Sequence, residues 1–542
     1  MERHRPRLTG GRLGRAGLTL GPAIFLAIFF VWPVAQLIVR GLSDGGLNTF
    51  ADTLGSPTIR AAAWFTLWQA VLSTALTMVV AAPLTAVLAN VSFRGRRIVN
   101  ALVTVPFVLP TVVVAGAFLA TSERLGLTAG PFALSKSVFA IVVAHVFFNV
   151  AVVVRTVGSY WSQLSRDDEH AARVLGDSAL RTFFQITLRR LQPSLLAASS
   201  LVFFFTFTSF GVVLILGGAR QRTIETEIFR YAISRTDFAT AAVLSVVQLI
   251  AVVALVALNI KLRGRLTNER LAKRILPPRT SSAMAGSVAI VVATLGLLAL
   301  PVAALVEQSL RTGDGYGLAN FIALGDRPSF MTVSPARAVL NSIVFATVAA
   351  AIATLMGGWA SFGIVYGSRM TSRLLDTAYL LPLGTSAVTL GFGVLLTFDT
   401  SWYDIRQSSV IIPLTQALIG VPFVTRAMVP VLRSIDPKLR DAAASMGATP
   451  RRIRRDIDLP IARRALAIGA GFAFAISLGE FGATSFVGRR PESMTVPLAI
   501  GRLLGQPGDT IQGQAMALSV ILMILTTTVL MFVDRADGSG VI

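Results

Sequence analysis

Residues 441–460 read DAAASMGATPRRIRRDIDLP, an Arg-rich polar stretch inside a chain of which 54% of residues are hydrophobic and 14% charged. A second copy lies upstream. Residues 170–189, HAARVLGDSALRTFFQITLR, align with it without a gap: Ala171-Ala172 on Ala442-Ala443, Gly176 on Gly447, Ile186 on Ile457 and Leu188 on Leu459. The shift is 271 residues, half of the 542-residue chain. The same shift carries Arg155 onto Arg426 and Phe210-Gly211 onto Phe481-Gly482. Self-similarity at half the length points to one unit duplicated and fused, a construction common among membrane transporters.

Working outward, the rest of the chain is too apolar for a soluble protein of this size. Apolar windows long enough to cross a bilayer as helices recur at 17–39, 62–90, 101–122, 138–157, 194–218, 241–260, 282–310, 339–367, 377–398, 410–432, 466–488 and 515–533. The expected fold is therefore an all-α polytopic membrane protein with about 12 spans, six in each unit. The seam is the polar segment KLRGRLTNERLAKRILPPRTSS, where Pro277 and Pro278 stop any helix leaving the sixth span. This gives a tail at 1–16, a first unit at 17–260, a linker at 261–281, a second unit at 282–533 and a tail at 534–542.

The formal charge of +22 sorts by side. If the spans alternate, one side receives Arg3, Arg5, Arg7, Arg12 and Arg15, the loop with Arg94, Arg96 and Arg97, the linker and the segment 433–464. Positive charge marks the cytoplasmic side, so both termini and both repeated loops are expected there, in a cell-membrane protein. Nucleic acid is excluded as a partner, because no soluble module interleaves basic and aromatic residues. The first apolar segment is too long for a signal-peptide core and is expected to stay as a helix. The chain has no cysteine, and its three histidines are His4, His145 and His170, which argues against disulfides, thiolate metal sites and cysteine catalysis. No metal site, no cofactor and no catalytic residues are expected in this chain.

The repeated loops carry a resemblance. An Ala pair, a Gly four residues after it and an Ile-x-Leu-Pro ten residues further, in a cytoplasmic loop before the penultimate span of a six-helix unit, resembles the loop by which the permeases of ABC importers contact their ATPase. The resemblance implies two type I importer permease units, two copies of an ABC ATPase subunit holding ATP and Mg²⁺, and an extracytoplasmic solute-binding protein. It implies ATPase-coupling roles for Glu169, His170, Ala171, Ala172 and Gly176, and for Asp441, Ala442, Ala443, Gly447 and Pro460. The second loop fits more closely. In the first, His170 occupies the acidic position, with Glu169 just before it, and Arg189 replaces the proline. The stretches AHVFFNVAVVVRTVG (144–158), FTSFGVVLILGGARQRTIETEIFRYA (207–232) and ISLGEFGATSFVG (476–488) look like the fused permeases that serve thiamine and ferric ion. The chain itself has no Gly-Lys pair and hence no phosphate-cradling loop, so ATP hydrolysis is expected in a separate subunit. The competing class is a twelve-span transporter driven by an ion gradient, which normally places acidic residues in its spans. This chain offers Glu307 and Glu480 there.

Glu480 stands in an otherwise apolar segment, either bordering the translocation path or pairing structurally with Arg489 or Arg490. With Phe481 and the first-half counterparts Ser209 and Phe210 it makes the expected path set. Arg155 and Arg426 read as anchors at span ends, and His145 and Asn149 as helix-to-helix hydrogen-bonding groups. Pro106, Pro110 and Pro382 interrupt spans three and nine, to line a path or to kink a helix. Ferric ion would call for several oxygen ligands, whereas Phe203, Phe204, Phe205, Phe207 and Phe210 offer faces to an aromatic cation or simply pack. Thiamine or a related cation is therefore expected over ferric iron.

Overall fold

Backbone N–H and C=O groups in hydrocarbon have no water to bond, so apolar stretches of this length satisfy them internally as helices. The computed structural model describes residues 12–43, 46–263, 281–313, 315–398, 408–488 and 490–537. His4, Arg3, Arg5, Arg7, most of the linker with Pro277 and Pro278, and Arg489 lie outside these residues. Among the described residues the regular structure is helical, apart from a two-residue antiparallel ladder pairing Arg311 with Tyr316.

Among the described residues nine helices are long and apolar enough to span: Gly17–Ser43, Pro57–Asn90, Val138–Trp161, Phe238–Leu258, Met284–Leu310, Pro335–Tyr366, Ile411–Ser434, Pro450–Gly479 and Asp509–Val533. Arg96–Val108 and Thr111–Arg124 make a tenth when taken as one span bent by 100°. The all-α, two-unit architecture stands, but several of the twelve apolar windows are not single helices. Window 194–218 is Leu188–Phe207, a break, and Gly211–Leu216. Window 377–398 is three pieces, Arg369–Ala378, Leu381–Gly384 and Ala387–Thr397. Window 466–488 stops at Gly479 and resumes at Thr484–Val487.

Each break has a local cause. Pro110 has no N–H and holds Leu109 extended (φ −64°, ψ 139°), which turns the third span. The matching break in the ninth lies at Ser386, whose hydroxyl accepts from the Val388 N–H at 3.1 Å and starts helix Ala387–Thr397. At Glu480 the carboxylate accepts from the N–H groups of Ala483 (2.7 Å) and Thr484 (2.8 Å), a side-chain substitute for the helical ladder. Of these three breaks, the one in the third span is set by a proline and the other two by polar side chains.

The two units interlock. Gly17–Ser43, from the first, lies on Pro335–Tyr366 of the second, and the Tyr379 hydroxyl donates to the Pro22 carbonyl at 2.7 Å. Conversely, Ser281–Leu310 of the second lies on Thr111–Arg124 of the first. Lipid tails are as apolar as side chains, so such helices are held by close packing of small residues rather than by expulsion of water. At the crossing of Pro335–Tyr366, Ile411–Ser434 and Leu459–Gly479 the approach is close: a Cβ on Gly469 would lie 2.7 Å from the Val424 Cα, and one on Gly420 3.0 Å from the Ala473 Cβ. One continuous core draws Val112, Phe210 and Ile228 from the first unit and Phe392, Phe481 and Phe486 from the second.

Candidate functional site

The repeated polar stretches fold alike. In the first, helix Asp167–Val174 ends at Gly176 (φ +98°), and Ser178 caps the next turn, its hydroxyl accepting from the Arg181 N–H. In the second, helix Pro437–Ser445 ends at Gly447 (φ +83°), and Thr449 caps the next turn through the Arg452 N–H. Both glycines occupy the left-handed region, which lets the following N–H reach back: Asp177 donates to the Ala172 carbonyl and Ala448 to the Ala443 carbonyl, each at 3.0 Å. A π-helical turn then follows in each, Phe183–Thr187 and Arg454–Asp458, and runs into a long helix.

Burial repeats with the backbone. The second alanine of each pair, Ala172 and Ala443, is 8% exposed, while Ala171, Ala442, His170, Asp441 and both glycines face outward. Pro460 is exposed in the first turn of Leu459–Gly479, and Arg189 is exposed at its counterpart. Apolar side chains also project from the turns: Val174, Leu175 and Met446 are between 82% and 87% exposed. That is an unusual position for large apolar groups in a polar loop.

What anchors each loop differs. In the second, Arg440 donates to Asp458 at 2.8 Å and to the Leu432 carbonyl at 2.9 Å, its guanidinium lying 5.2 Å over the Tyr366 ring. Asp458 also accepts from the Tyr366 hydroxyl. In the first, the equivalent positions are Glu169 and Thr187, joined by a neutral-to-charged hydrogen bond of 2.7 Å. Glu169 and Thr187 also line a cavity of about 570 Å³ with Asn90, Trp161 and Arg173. Glu169 is thus half-buried, an anchor for its loop rather than part of the loop's outer face.

The long helices end at the contact between units. Leu188–Phe207 leads to Ser209 and Phe210, and Leu459–Gly479 leads to Glu480 and Phe481. Phe210 and Phe481 stack, ring centroids 5.5 Å apart and interplanar angle 24°, so the repeat axis passes through an aromatic pair. Phe229 packs on Phe210, and Phe486 on Phe229. Behind this pair the halves diverge. Ser209 Oγ shares a hydrogen bond with His145 Nε2 at 2.8 Å, and His145 Nδ1 another with Ser73 Oγ at 3.2 Å. At the matching place Gln416 donates to the Thr484 hydroxyl at 3.5 Å, and that hydroxyl donates to Glu480. Ser209, Phe210, Glu480 and Phe481 are therefore brought together, all within 9% exposure.

Other expectations fare unevenly. His145 does tie helices together, whereas Asn149 donates within its own helix, to the His145 carbonyl at 2.9 Å. Glu480 is held by its own turn and not by Arg490; its expected alternative partner Arg489 lies outside the described residues. Glu307 lies at a helix end, paired with Arg124 at 3.0 Å. Arg426 is exposed and Arg155 half-buried, so the two are not equivalent. Of the span-five phenylalanines, Phe207 packs with Phe203 and Phe204 against Ala70 and Val252, and Phe205 against Phe107; Phe210 alone meets the other unit's aromatic.

Hydropathy missed two buried acids. Residues 219–240 read as a loop between spans, but Ile224–Phe229 is a helix packed into the core, with Glu225 and Glu227 fully buried. Glu227 pairs with Arg230 and, at 3.6 Å, with Arg222. Glu225 accepts from Gln248 Nε2 at 2.9 Å and, across the unit boundary, from Ser386 Oγ at 2.6 Å. The signal that was present is Thr223, a helix cap in front of an acidic first turn.

Comparison with known proteins bears on this geometry. The family model described as binding-protein-dependent transport system inner membrane component matches residues 79–263 and again 352–536. A thiamine transport system permease protein of Brucella abortus (strain 2308) is 27% identical over 537 residues, covering 95% of this chain and 95% of the relative. One of Escherichia coli (strain K12) is 25% identical over 568 residues, covering 99% of each. A putative 2-aminoethylphosphonate transport system permease protein of Salmonella typhimurium is 24% identical over 244 residues, 42% of this chain and 85% of the relative. The chain belongs to the binding-protein-dependent transport system inner membrane component family, and it carries that permease unit twice, fused in one polypeptide.

Proposed function

We propose that this chain is the permease of an ATP-driven thiamine importer, in which the loops at Glu169–Gly176 and Asp441–Pro460 each seat one copy of a separate ABC ATPase. The reading rests on one observation above others: similarity to thiamine permeases runs over nearly the whole of this chain and of theirs. Both termini and both loops lie on the cytoplasmic side in this reading, and an extracytoplasmic binding protein delivers the solute to the opposite face.

The geometry supports a mechanism. Each loop continues through a π-helical turn into one helix, of 20 residues in the first unit and 21 in the second, that ends at the stacked phenylalanines. At 1.5 Å per residue such a helix is about 30 Å long, so a displacement of the loop reaches Phe210 or Phe481 through a stiff rod. ATP and Mg²⁺ act in the partner subunits and draw the two loops together. The Phe210–Phe481 stack is then the closed gate, and parting it opens a route lined by Ser209 on one side and Glu480 on the other.

The test is reconstitution of the chain with its ATPase and binding protein in vesicles. Labelled thiamine should accumulate only with ATP and both partners present. Uptake that runs on an ion gradient without the ATPase, or uptake of chelated iron in place of thiamine, would overturn the reading.

A further inference from the structure

Two of the buried carboxylates in the core have no basic partner among the described residues. Glu225 is 0% exposed and Glu480 7% exposed, and both are bonded only to neutral groups: Gln248 and Ser386 for the first, Ala483 and Thr484 for the second. Glu227, by contrast, has its arginines. An ionised carboxylate without a counter-charge inside a membrane protein is costly, and such groups mark solute or ion sites.

The two come from opposite units and converge on one helix. Ser386, which donates to Glu225, is the cap of Ala387–Thr397. Gly482 sits between that helix's first turn and Glu480: a Cβ there would lie 3.1 Å from the Ala387 Cβ, 3.5 Å from the Val388 N and 3.6 Å from Glu480 Oε1. Glu225, through Ser386, and Glu480, across Gly482, thus both lie by the first turn of helix Ala387–Thr397, and Phe392 in its next turns belongs to the same core as the Phe210–Phe481 pair.

Independent of the carboxylates, the surrounding side chains leave polar oxygens unpartnered. Oε1 of Gln248, Oε1 of Gln416, Oγ1 of Thr389 and Oγ of Ser477 are buried without a hydrogen-bond partner, and each residue is no more than 3% exposed. Gln248 is bonded to Glu225, Gln416 reaches Glu480 through Thr484, Thr389 follows Ser386 in the cap, and Ser477 accepts through its carbonyl from the Glu480 N–H. Buried polar atoms of this kind ordinarily find a hydrogen-bond partner, and each of these oxygens can turn a lone pair toward a cation. Oxygens in excess around two uncompensated carboxylates suit a positively charged guest.

We propose that Glu225 and Glu480 form a two-carboxylate site for the positive charge of the transported solute, behind the Phe210–Phe481 gate. The site deepens the thiamine reading and rests on it, since thiamine carries a fixed cationic ring. Its asymmetry follows from the repeat. At the 271-residue shift Ser209 stands where Glu480 would be in the opposite unit and Val496 where Glu225 would be, so each unit supplies one carboxylate.

The experiment uses the full transporter in vesicles with ATPase, binding protein and labelled thiamine. Glu225→Gln keeps shape and removes charge; it should lower the maximal uptake rate by about tenfold or more, the loss of a charge-assisted contact, with little change in the binding-protein concentration needed for half-maximal rate. Glu225→Asp should restore part of the rate. Ser386→Ala removes the inter-unit hydrogen bond but keeps the charge, and should lower the rate clearly less than Glu225→Gln does. Damage from Ser386→Ala equal to that from Glu225→Gln would make Glu225 a structural latch and overturn the site, as would wild-type uptake by Glu225→Gln. If Glu225→Gln does not accumulate, wild-type vesicles are treated with a hydrophobic carbodiimide and read by mass spectrometry. Thiamine under turnover should protect Glu225 and Glu480 from modification, and an absence of protection overturns the site. Wild-type vesicles that take up no thiamine would instead overturn the solute assignment, and the site with it.

Discussion

Arg440 and Asp458 are 3% and 0% exposed and join the start of the second loop to the helix that follows it. A buried ion pair need not stabilise relative to an apolar pair, yet removing one partner strands the other charge, at about 3–5 kcal/mol. Arg440→Met should therefore lower the thermal midpoint of the purified chain markedly, and Arg440→Met with Asp458→Leu should recover most of the loss. At the first loop, Glu169→Gln keeps an oxygen for the Thr187 hydroxyl and should cost about 1 kcal/mol. Equal midpoints for the single and double second-loop variants would show that the pair is not what anchors it. Sequence reading named Asp441, beside Arg440, from the family pattern. It could not find Arg440, because its partner lies 18 residues away, across two turns whose closure only the folded loop shows. Glu225 escaped for a related reason: acids outside an apolar window look solvated, and its burial depends on a helix from the other unit.

At the scale of elements, the repeat was legible down to the turn. The alanine pair, the glycine and the hydrophobic residues after it predict two helices joined at Gly176 and at Gly447, and both glycines do stand at positive φ. The breaks in spans five and eleven, at Thr208–Phe210 and Glu480, were not legible, because hydropathy reads through them; in span nine Pro382 signals an interruption, but the second break, capped by Ser386, was not legible. Nothing lies within 4 Å of a Cβ on either loop glycine. A bulky residue there meets no clash within the chain, only the cost of left-handed backbone, about 1–2 kcal/mol. Gly447→Trp should accordingly leave a folded protein and abolish ATP-dependent uptake by blocking the seat for the ATPase. Gly176→Trp should retain a measurable fraction of uptake, since the first loop departs from the family pattern at His170 and Arg189. Identical losses at the two sites would show that those departures carry no information, and full coupling in Gly447→Trp would remove the loop from the docking surface.

The whole molecule is two interlocked units rather than two that fold apart. The duplication is visible in the sequence, but the exchange of first helices is not, because a twelve-span count leaves open which span lies against which. Gly17–Ser43 packs on the second unit and Ser281–Leu310 on the first. Polar contacts join the two: Ser386 to Glu225 at 2.6 Å, Arg124 to Glu307 at 3.0 Å and Gln308 to Glu123 at 2.9 Å. In a bilayer, a unit made alone can cover its apolar surface with lipid at little cost. It has no such remedy for polar groups. Without the second unit Glu225 loses the Ser386 hydroxyl and the first-unit core loses Phe392 and Phe486, leaving an ionisable group facing lipid or a void. Residues 1–270 and 271–542 expressed as separate chains should therefore co-purify as a complex that transports when made together, and each should be degraded when made alone. Protease resistance and membrane yield of each piece measure this, and residues 1–270 accumulating alone with the complex's thermal midpoint would show that the units fold independently despite their shared core.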